Sequence, residues 1–419
     1  MSERDAGGVR EAARAAVERL VGASRLERAL VSVVALVLAI VVGIVFVFVS
    51  GFFVPDAECA TPFLATPVGL FCYNPFTVFY FLVVSAVSSP FNLAITLQAT
   101  SILVLTGLSV AVSFRAGLFN IGTQGQMVFG ALASGLIGPW LVGQVTQGAV
   151  GGAVVIVGTV AAAGIVGGVY GAIPGVLKAY ADANEVITTI MLNIIASGIA
   201  FTVVSEYVNP GGNIQTEPLP SWAMLAPIVA PPGSRFSVLV LAGALVGAAG
   251  LWYLLNYSSF GYDLRVSGLQ PEAAAYSGVD ARRVIVATMT ISGIFGGLAG
   301  AAFVLMAQGY WTDGLPAYGF DGITVSVLAI NSPAGVVPAA LLFGVLKSGT
   351  IGFQTSPYVS VPPQLADVLR GIIVLLVAMP EFVRMVGVRA GIGSLGEEGV
   401  TAPPGGDDAD ADVEVSPND

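Results

Sequence analysis

Long apolar runs separated by short polar breaks dominate the chain. Residues 29–54 contain no ionisable group, and 150–177, 236–255, 284–307 and 371–379 have the same character. Each of the first four can cross ~30 Å of hydrocarbon as a helix of about 20 residues. Strand-like alternation of apolar and polar positions is absent, which argues against a closed β-barrel. The pattern predicts an all-α polytopic membrane protein of about ten membrane segments, some of them short or broken. Spans are expected at about 29–50, 94–113, 119–141, 150–173, 185–205, 236–255, 284–305 and 364–382. Residues 76–89, between Pro75 and Pro90, are too short to cross comfortably and read as a partial or re-entrant helix. The stretch 318–349 is interrupted at "NSPAG" (331–335), where Pro333 and Gly335 break a helix into a pair of short pieces. Such a break is tolerated at membrane depth only where protein covers it or it lines a cavity.

Charge adds orientation. The first 28 residues carry six arginines, and the loop 256–283 holds Arg265, Arg282 and Arg283. Short basic loops stay in the cytoplasm, so both the N- and C-termini are expected to be cytoplasmic. The first span is longer than a signal-peptide core and has no convincing cleavage site after it, so it is expected to remain as an anchor. Residues 391–419 carry eight acids and no base, and little that could be buried. They read as a disordered acidic cytoplasmic tail, set against a basic N-terminal segment 1–28 and a transmembrane domain 29–390.

Composition narrows the chemistry. Of 419 residues, 55% are apolar and 10% charged, against ~25% charged in a soluble domain. No histidine is present, and the two cysteines, Cys59 and Cys72, lie in one segment expected outside. A disulfide is permitted there, but spacing leaves the pairing open. The usual nitrogen and sulfur ligands are missing, so no metal site and no catalytic residue are expected. "GVLKSGT" (344–350) lacks the glycine that a phosphate loop needs directly before its lysine, so the chain should not hydrolyse ATP. In "GIFGGLAG" (293–300), Gly293 with Gly297 and Gly296 with Gly300 are spaced to let helices approach closely, as are Gly164, Gly168 and Gly171.

Polar residues inside the apolar pattern are the candidates for function. Asn120 and Gln124 are four apart and would share a helix face, with Gln126 turned away. Asn193 falls inside the fifth crossing. Such amides either knit helices together or line a passage for an uncharged polar solute, and the two roles are compatible. Asn184 and Glu185 read as a helix cap and first turn, and Asp321 also begins its segment. In the basic loop, "PEAAAYSG" has Pro271 at a helix start, Glu272 in the first turn, the alanines 273–275 and Gly278 to end it. This two-turn helix has an alanine surface able to enter a cleft on another protein.

Five blocks carry a resemblance: "AGLFNIGTQGQ", "NEVITTIMLN", "GLQPEAAAYSGV", "GGLAGA" and "GFDGITVSVLAINSPAGVVPAALLFGVLKSG". Over roughly residues 75–385, and in this order, they resemble membrane permeases of ABC importers in the branched-chain amino acid, ribose and nucleoside superfamily. The nearest similarity is to simple-sugar and nucleoside permeases that work with Bmp-type lipoproteins. The resemblance implies a permease subunit in the cytoplasmic membrane that passes a nucleoside or simple sugar by alternating access. It implies no cofactor in this chain, with ATP and Mg bound by a partner ABC ATPase subunit. A second related permease, forming a heterodimer, and an extracellular substrate-binding lipoprotein are the other implied partners besides the lipid bilayer; nucleic acid is not one. Pro271, Glu272, Ala273, Ala274, Ala275 and Gly278 inherit the helix that couples to the ATPase, and Ala274→Arg is expected to abolish uptake while leaving the chain folded. Asn120, Gln124 and Gln126 inherit the "FNIG.EGQ" block, with Gln124 where many members carry glutamate. They are candidates for the translocation pathway, joined by Asn184, Glu185, Asn193, Asp321 and Asn331. A branched-chain amino acid permease and an ion-coupled transporter acting alone remain the alternatives.

Overall fold

The computed structural model describes residues 25–54, 69–209, 212–225, 231–269 and 278–355 without interruption, and isolated positions between them and on to Met379. The basic segment up to residue 24, the tail 391–419, and Pro271, Glu272, Ala273 and Ala275 lie outside the described residues. Residues Ala35–Ala378 form one compact unit. A second unit, Met1–Val34 with Met379–Asp419, contributes only the start of the first helix and Met379 to what is described.

Helices α1 (Arg25–Phe52), α2 (Pro75–Phe79), α3 (Pro90–Arg115), α4 (Thr123–Val142), α5 (Ala149–Ala181) and α6 (Glu185–Thr202) are followed by α7 (Val238–Tyr257), α8 (Ser259–Leu269), α9 (Ala281–Ala302), α10 (Tyr318–Leu328) and α11 (Pro333–Thr355). Seven helices among the described residues are long and apolar enough to cross a membrane: α3, α4, α5, α6 with its extension to Val208, α7, α9 with its extension to Gln308, and α11. Six of these coincide with spans expected from the apolar runs to within a few residues, apart from the C-terminal end of α5. The seventh, α11, is a 23-residue helix where only a short piece was expected, because Pro338 inside it does not end it. The last expected span, 364–382, is helical at each of its described positions. The expected partial helix at 76–89 is α2 continued by a π turn, Tyr80–Val84, and a 3₁₀ turn, Ser85–Val87.

Burial ranks the helices. The membrane-crossing part of α3 is 83% buried, and that of α6 only 22%. In a bilayer the apolar outer helices face lipid, and α3 is the central post. Around it, α4, α5 and α9 meet through glycine. A side-chain carbon on Gly171 would lie 2.8 Å from the Cα of Gly293, and one on Gly297 would overlap the carbonyl oxygen of Ala163. Gly293, Gly296, Gly297 and Gly300 all make such approaches, whereas Gly164 meets its neighbours only at ordinary contact distance. The expected close helix contacts are there, with Gly167, which the sequence reading passed over, opposite Gly293 and Gly297.

A smaller core joins Ala39 and Val47 of α1 to Val78, Leu82, Leu346, Leu369 and Ile373. Next to it the chain forms a hairpin, β1 (Leu64–Thr66) and β2 (Gly69–Phe71), paired antiparallel with Ala65 opposite Leu70. Strands of three residues are too short to register as alternation in the sequence. The Cys59–Cys72 disulfide closes this segment. The Cys72 N–H donates to the carbonyl of Gly51, and Phe71 stacks on Phe48 with ring centroids 4.1 Å apart. The hairpin is thereby tied to the end of α1.

The break between α10 and α11 differs in mechanism from the expectation. Pro333 opens α11, where its missing N–H costs nothing, and Gly335 lies inside that helix. The chain instead turns at Ile330 and Asn331, both left-handed with φ of 53° and 54°. This conformation is unfavourable for a β-branched residue such as isoleucine. It is held by the Asn331 N–H donating to the Ser326 carbonyl at 2.8 Å and the Ser326 hydroxyl donating to Asn331 Oδ1 at 3.0 Å.

Candidate functional site

After α3 the chain turns at Gly117 and runs irregularly to Gly122, the N-cap of α4. A helix start leaves backbone N–H groups without partners, and glycine offers no side chain to take them. Asn120 supplies one, its Oδ1 accepting from Gly122 N at 2.8 Å. It therefore stands before the helix rather than on a shared face with Gln124, as the spacing had predicted. A second comes from a distant helix: Asn193 of α6 accepts from Gly125 N at 2.8 Å and donates to the Ile121 carbonyl at 3.0 Å. One carboxamide thus caps α4 from outside at two points.

Behind this cap lies a buried polar cluster. Asn120 Nδ2 donates to Ser292 Oγ at 2.7 Å, and Ser292 donates to the Ser109 carbonyl at 2.6 Å. Ser109 Oγ lies 3.0 Å from Thr123 Oγ1 and donates to Gln126 Oε1 at 3.2 Å. Gln126 is consequently not turned away; it is buried against α3. Gln124 reaches in another direction, accepting from Gly319 N at 2.8 Å and donating to the Pro316 carbonyl at 3.3 Å, which fixes the start of α10. Ser109, Asn120, Gln126, Asn193 and Ser292 join α3, α4, α6 and α9 through uncharged groups that have little water to compete for them. Replacing Asn193 by leucine leaves two backbone groups of the α4 start without this partner. An expected loss of about 1–3 kcal/mol for each would appear as a lower thermal midpoint of the detergent-purified chain, with Asn193→Asp intermediate.

The other candidates sit apart from this cluster. Asn184 caps α6, its Oδ1 accepting from Val186 N and Ile187 N, and Lys178 bridges Asp182 at 3.2 Å and Glu185 at 3.4 Å across the turn from α5. Asp321, in the first turn of α10, pairs with Lys347 of α11 at 2.5 Å; each side chain is just under one-fifth exposed. The ammonium also lies 4.2 Å from the centre of the Tyr318 ring. Lys347 is not among the residues the sequence marks as candidates, since its only motif context is an incomplete phosphate loop. A lone cation inside an apolar run was the signal available.

In the basic loop, Ala274 and Tyr276 are helical and Gly278 turns with φ of 81°. The Val279 N–H returns to the Ala274 carbonyl at 3.0 Å, closing a glycine-terminated helix end where the sequence placed it. Ala274 itself is fully buried, and Tyr276 is 96% exposed. Arginine at 274 would therefore strike the protein interior, so that substitution tests folding rather than docking. Tyr276 is the side chain offered outward.

Residues 92–378 match the family described as branched-chain amino acid transport system permease component. The chain belongs to this permease family. Among relatives, it is 32% identical over 368 residues to the guanosine ABC transporter permease NupP of Bacillus subtilis, covering 86% of this permease and 96% of NupP. It is 29% identical to the glucose ABC transporter permease TsgB13 of Haloferax volcanii, over 80% of this chain and 88% of the relative. A second guanosine permease of B. subtilis, NupQ, is 25% identical over 69% of the chain and 90% of NupQ. No solved structure matches this permease.

Proposed function

We propose that the chain is the membrane-spanning subunit of an ATP-driven importer for a nucleoside or simple sugar. The observation that carries this reading is the match to NupP along almost its full length, since a transport subunit is matched as a whole rather than as a borrowed module. Hydrolysis of ATP with Mg belongs to a cytoplasmic ABC subunit, and a substrate-binding lipoprotein delivers the solute. The partner permease is a second, related chain: two guanosine permeases of one organism, NupP and NupQ, both align with this sequence. The protein has about ten membrane segments, α1, α10 and the 364–382 segment adding to the seven long helices while α2 stays a partial helix, with both termini inside.

In this reading the buried amides Asn120, Gln124, Gln126 and Asn193 hold the helices in register beside the passage. Alternating access is driven through the short helix that contains Ala274 and ends at Gly278. The experiment is affinity capture of the tagged chain in lipid discs, followed by uptake of nucleosides and sugars by the captured assembly in vesicles. Recovery of an ATPase and a second permease, with ATP-dependent uptake, is the expected result. A chain captured alone that moves solute with an ion gradient would replace this function by that of a secondary transporter. Tyr276→Ala is expected to cut uptake at least tenfold with no change in the amount or monodispersity of the protein, because truncating an exposed anchor residue at an interface costs about 2 kcal/mol or more.

A further inference from the structure

At the N-terminal end of α7 two buried hydroxyls, on Ser234 and Ser237, lack the partners their burial demands. Ser237 is the N-cap of α7 and fully buried, yet its hydroxyl makes no capping bond. Ser234 is also buried, and neither hydroxyl has a hydrogen-bond partner among the described residues. Between them, exposed Arg235 donates through Nη1 to the carbonyls of Ala307 at 2.8 Å and Gln308 at 3.2 Å. A guanidinium has five N–H groups, so further donors remain. Among the described residues no carboxylate pairs with it. An arginine, two hydroxyls and the start of a 20-residue helix together make an anion site.

Directly beside it lies an apolar cavity of about 320 Å³, within the range of pockets that hold small ligands (~300–1,000 Å³). Its walls include Leu105 of α3, Ile156 and Val160 of α5, Val240 and Ala244 of α7, and Leu305. Val240 stands one turn into the helix that Ser237 begins, and Leu305 two residues before Ala307, so the cavity lies next to these polar groups along both elements. The cavity opens past exposed Leu239 and Gly243 on the outer face of the bundle. A small soluble anion would leave the apolar half empty, and an uncharged amphiphile would leave the arginine and hydroxyls unmatched. We propose that this site binds one anionic phospholipid, its phosphate on Arg235, Ser234 and Ser237 and an acyl chain in the cavity.

Native mass spectrometry of the full chain, exchanged into mild detergent and titrated with phosphatidylglycerol or phosphatidylcholine, tests this directly. The expected result is one phosphatidylglycerol bound at concentrations where phosphatidylcholine is not. Arg235→Gln should weaken phosphatidylglycerol binding about fivefold and phosphatidylcholine, whose choline offsets the phosphate charge, by less. Arg235 also holds the end of α9, so Ser237→Ala, which keeps that contact, is the second headgroup variant, with an expected loss of about threefold. Gly243→Phe, at a position where an added side chain meets nothing within 4 Å, should fill the cavity and weaken both lipids. Equal binding of the two lipids with no effect of either headgroup variant would overturn the proposal. So would displacement of the lipid by inorganic phosphate with no effect of Gly243→Phe, which would make the site one for a free anion.

Discussion

Gly297→Leu is expected to eliminate the folded permease. A side-chain carbon at 297 would overlap the carbonyl oxygen of Ala163 and come within 3.0 Å of the Cα of Gly167. On its other side, the Gly297 backbone already fills the space that a side chain on Gly130 would need. Helix α9 is therefore clasped between α4 and α5, and neither neighbour can retreat without losing its own glycine contacts. Overpacking in a well-filled core costs ~1–3 kcal/mol where side chains can shift. Here the obstacle is backbone, so the loss should exceed ~3 kcal/mol, a large fraction of the ~5–15 kcal/mol by which domains are stable. Size-exclusion profiles of a fluorescently tagged chain should lose the monodisperse peak. Gly198→Leu and Gly250→Leu, at open positions, should leave that peak intact. An unchanged peak for Gly297→Leu would disprove the clasp.

Lys347→Met should produce the second-largest effect. It leaves the Asp321 carboxylate, just under one-fifth exposed, without the ammonium 2.5 Å away. Breaking a fully buried pair costs ~3–5 kcal/mol, and the residual exposure lowers the expectation to about 2–4 kcal/mol. The cation–π contact with Tyr318 is lost as well. The double variant Asp321→Leu/Lys347→Met removes both charges and should recover most of the lost thermal stability. If the double variant were as unstable as the single one, shape rather than charge would explain the site.

These two sites mark what was legible in the chain. Helix positions followed from run length alone, because hydrocarbon thickness sets a minimum that polar breaks reveal. The glycine spacing in 293–300 was readable because a helix repeats on itself. The opposing surface at Gly167 was not, since nothing local states which helix arrives there. The same limit applies to Asn193, whose partners Ile121 and Gly125 are about 70 residues away, and to Asp321, whose counter-ion lies on the next helix. Asn120 was misplaced by one turn because the irregular entry to α4 has no apolar periodicity to contradict a helix. The C-terminal end of α5 was underestimated for the opposite reason. "VLKAYA" contains no breaker, and termination waits for Asp182 in the left-handed region.

That underestimated helix has a mechanical consequence. At 1.5 Å per residue, the 33 residues of α5 are about 50 Å long, roughly 20 Å more than the hydrocarbon layer. Gly175 still touches α9 at Val286 and Met289, and farther down the guanidinium of Arg282 lies 5.7 Å from the centre of the Tyr180 ring. The two helices therefore run on side by side past the hydrocarbon layer. The foot of α9, Ala281, follows Gly278 by only three residues and is capped by Asp280. Between that foot and the glycine clasp α9 contains no proline, so a sideways push on the foot acts as torque on the clasp with the overhang as its lever arm, while Pro174 gives α5 a point at which to bend.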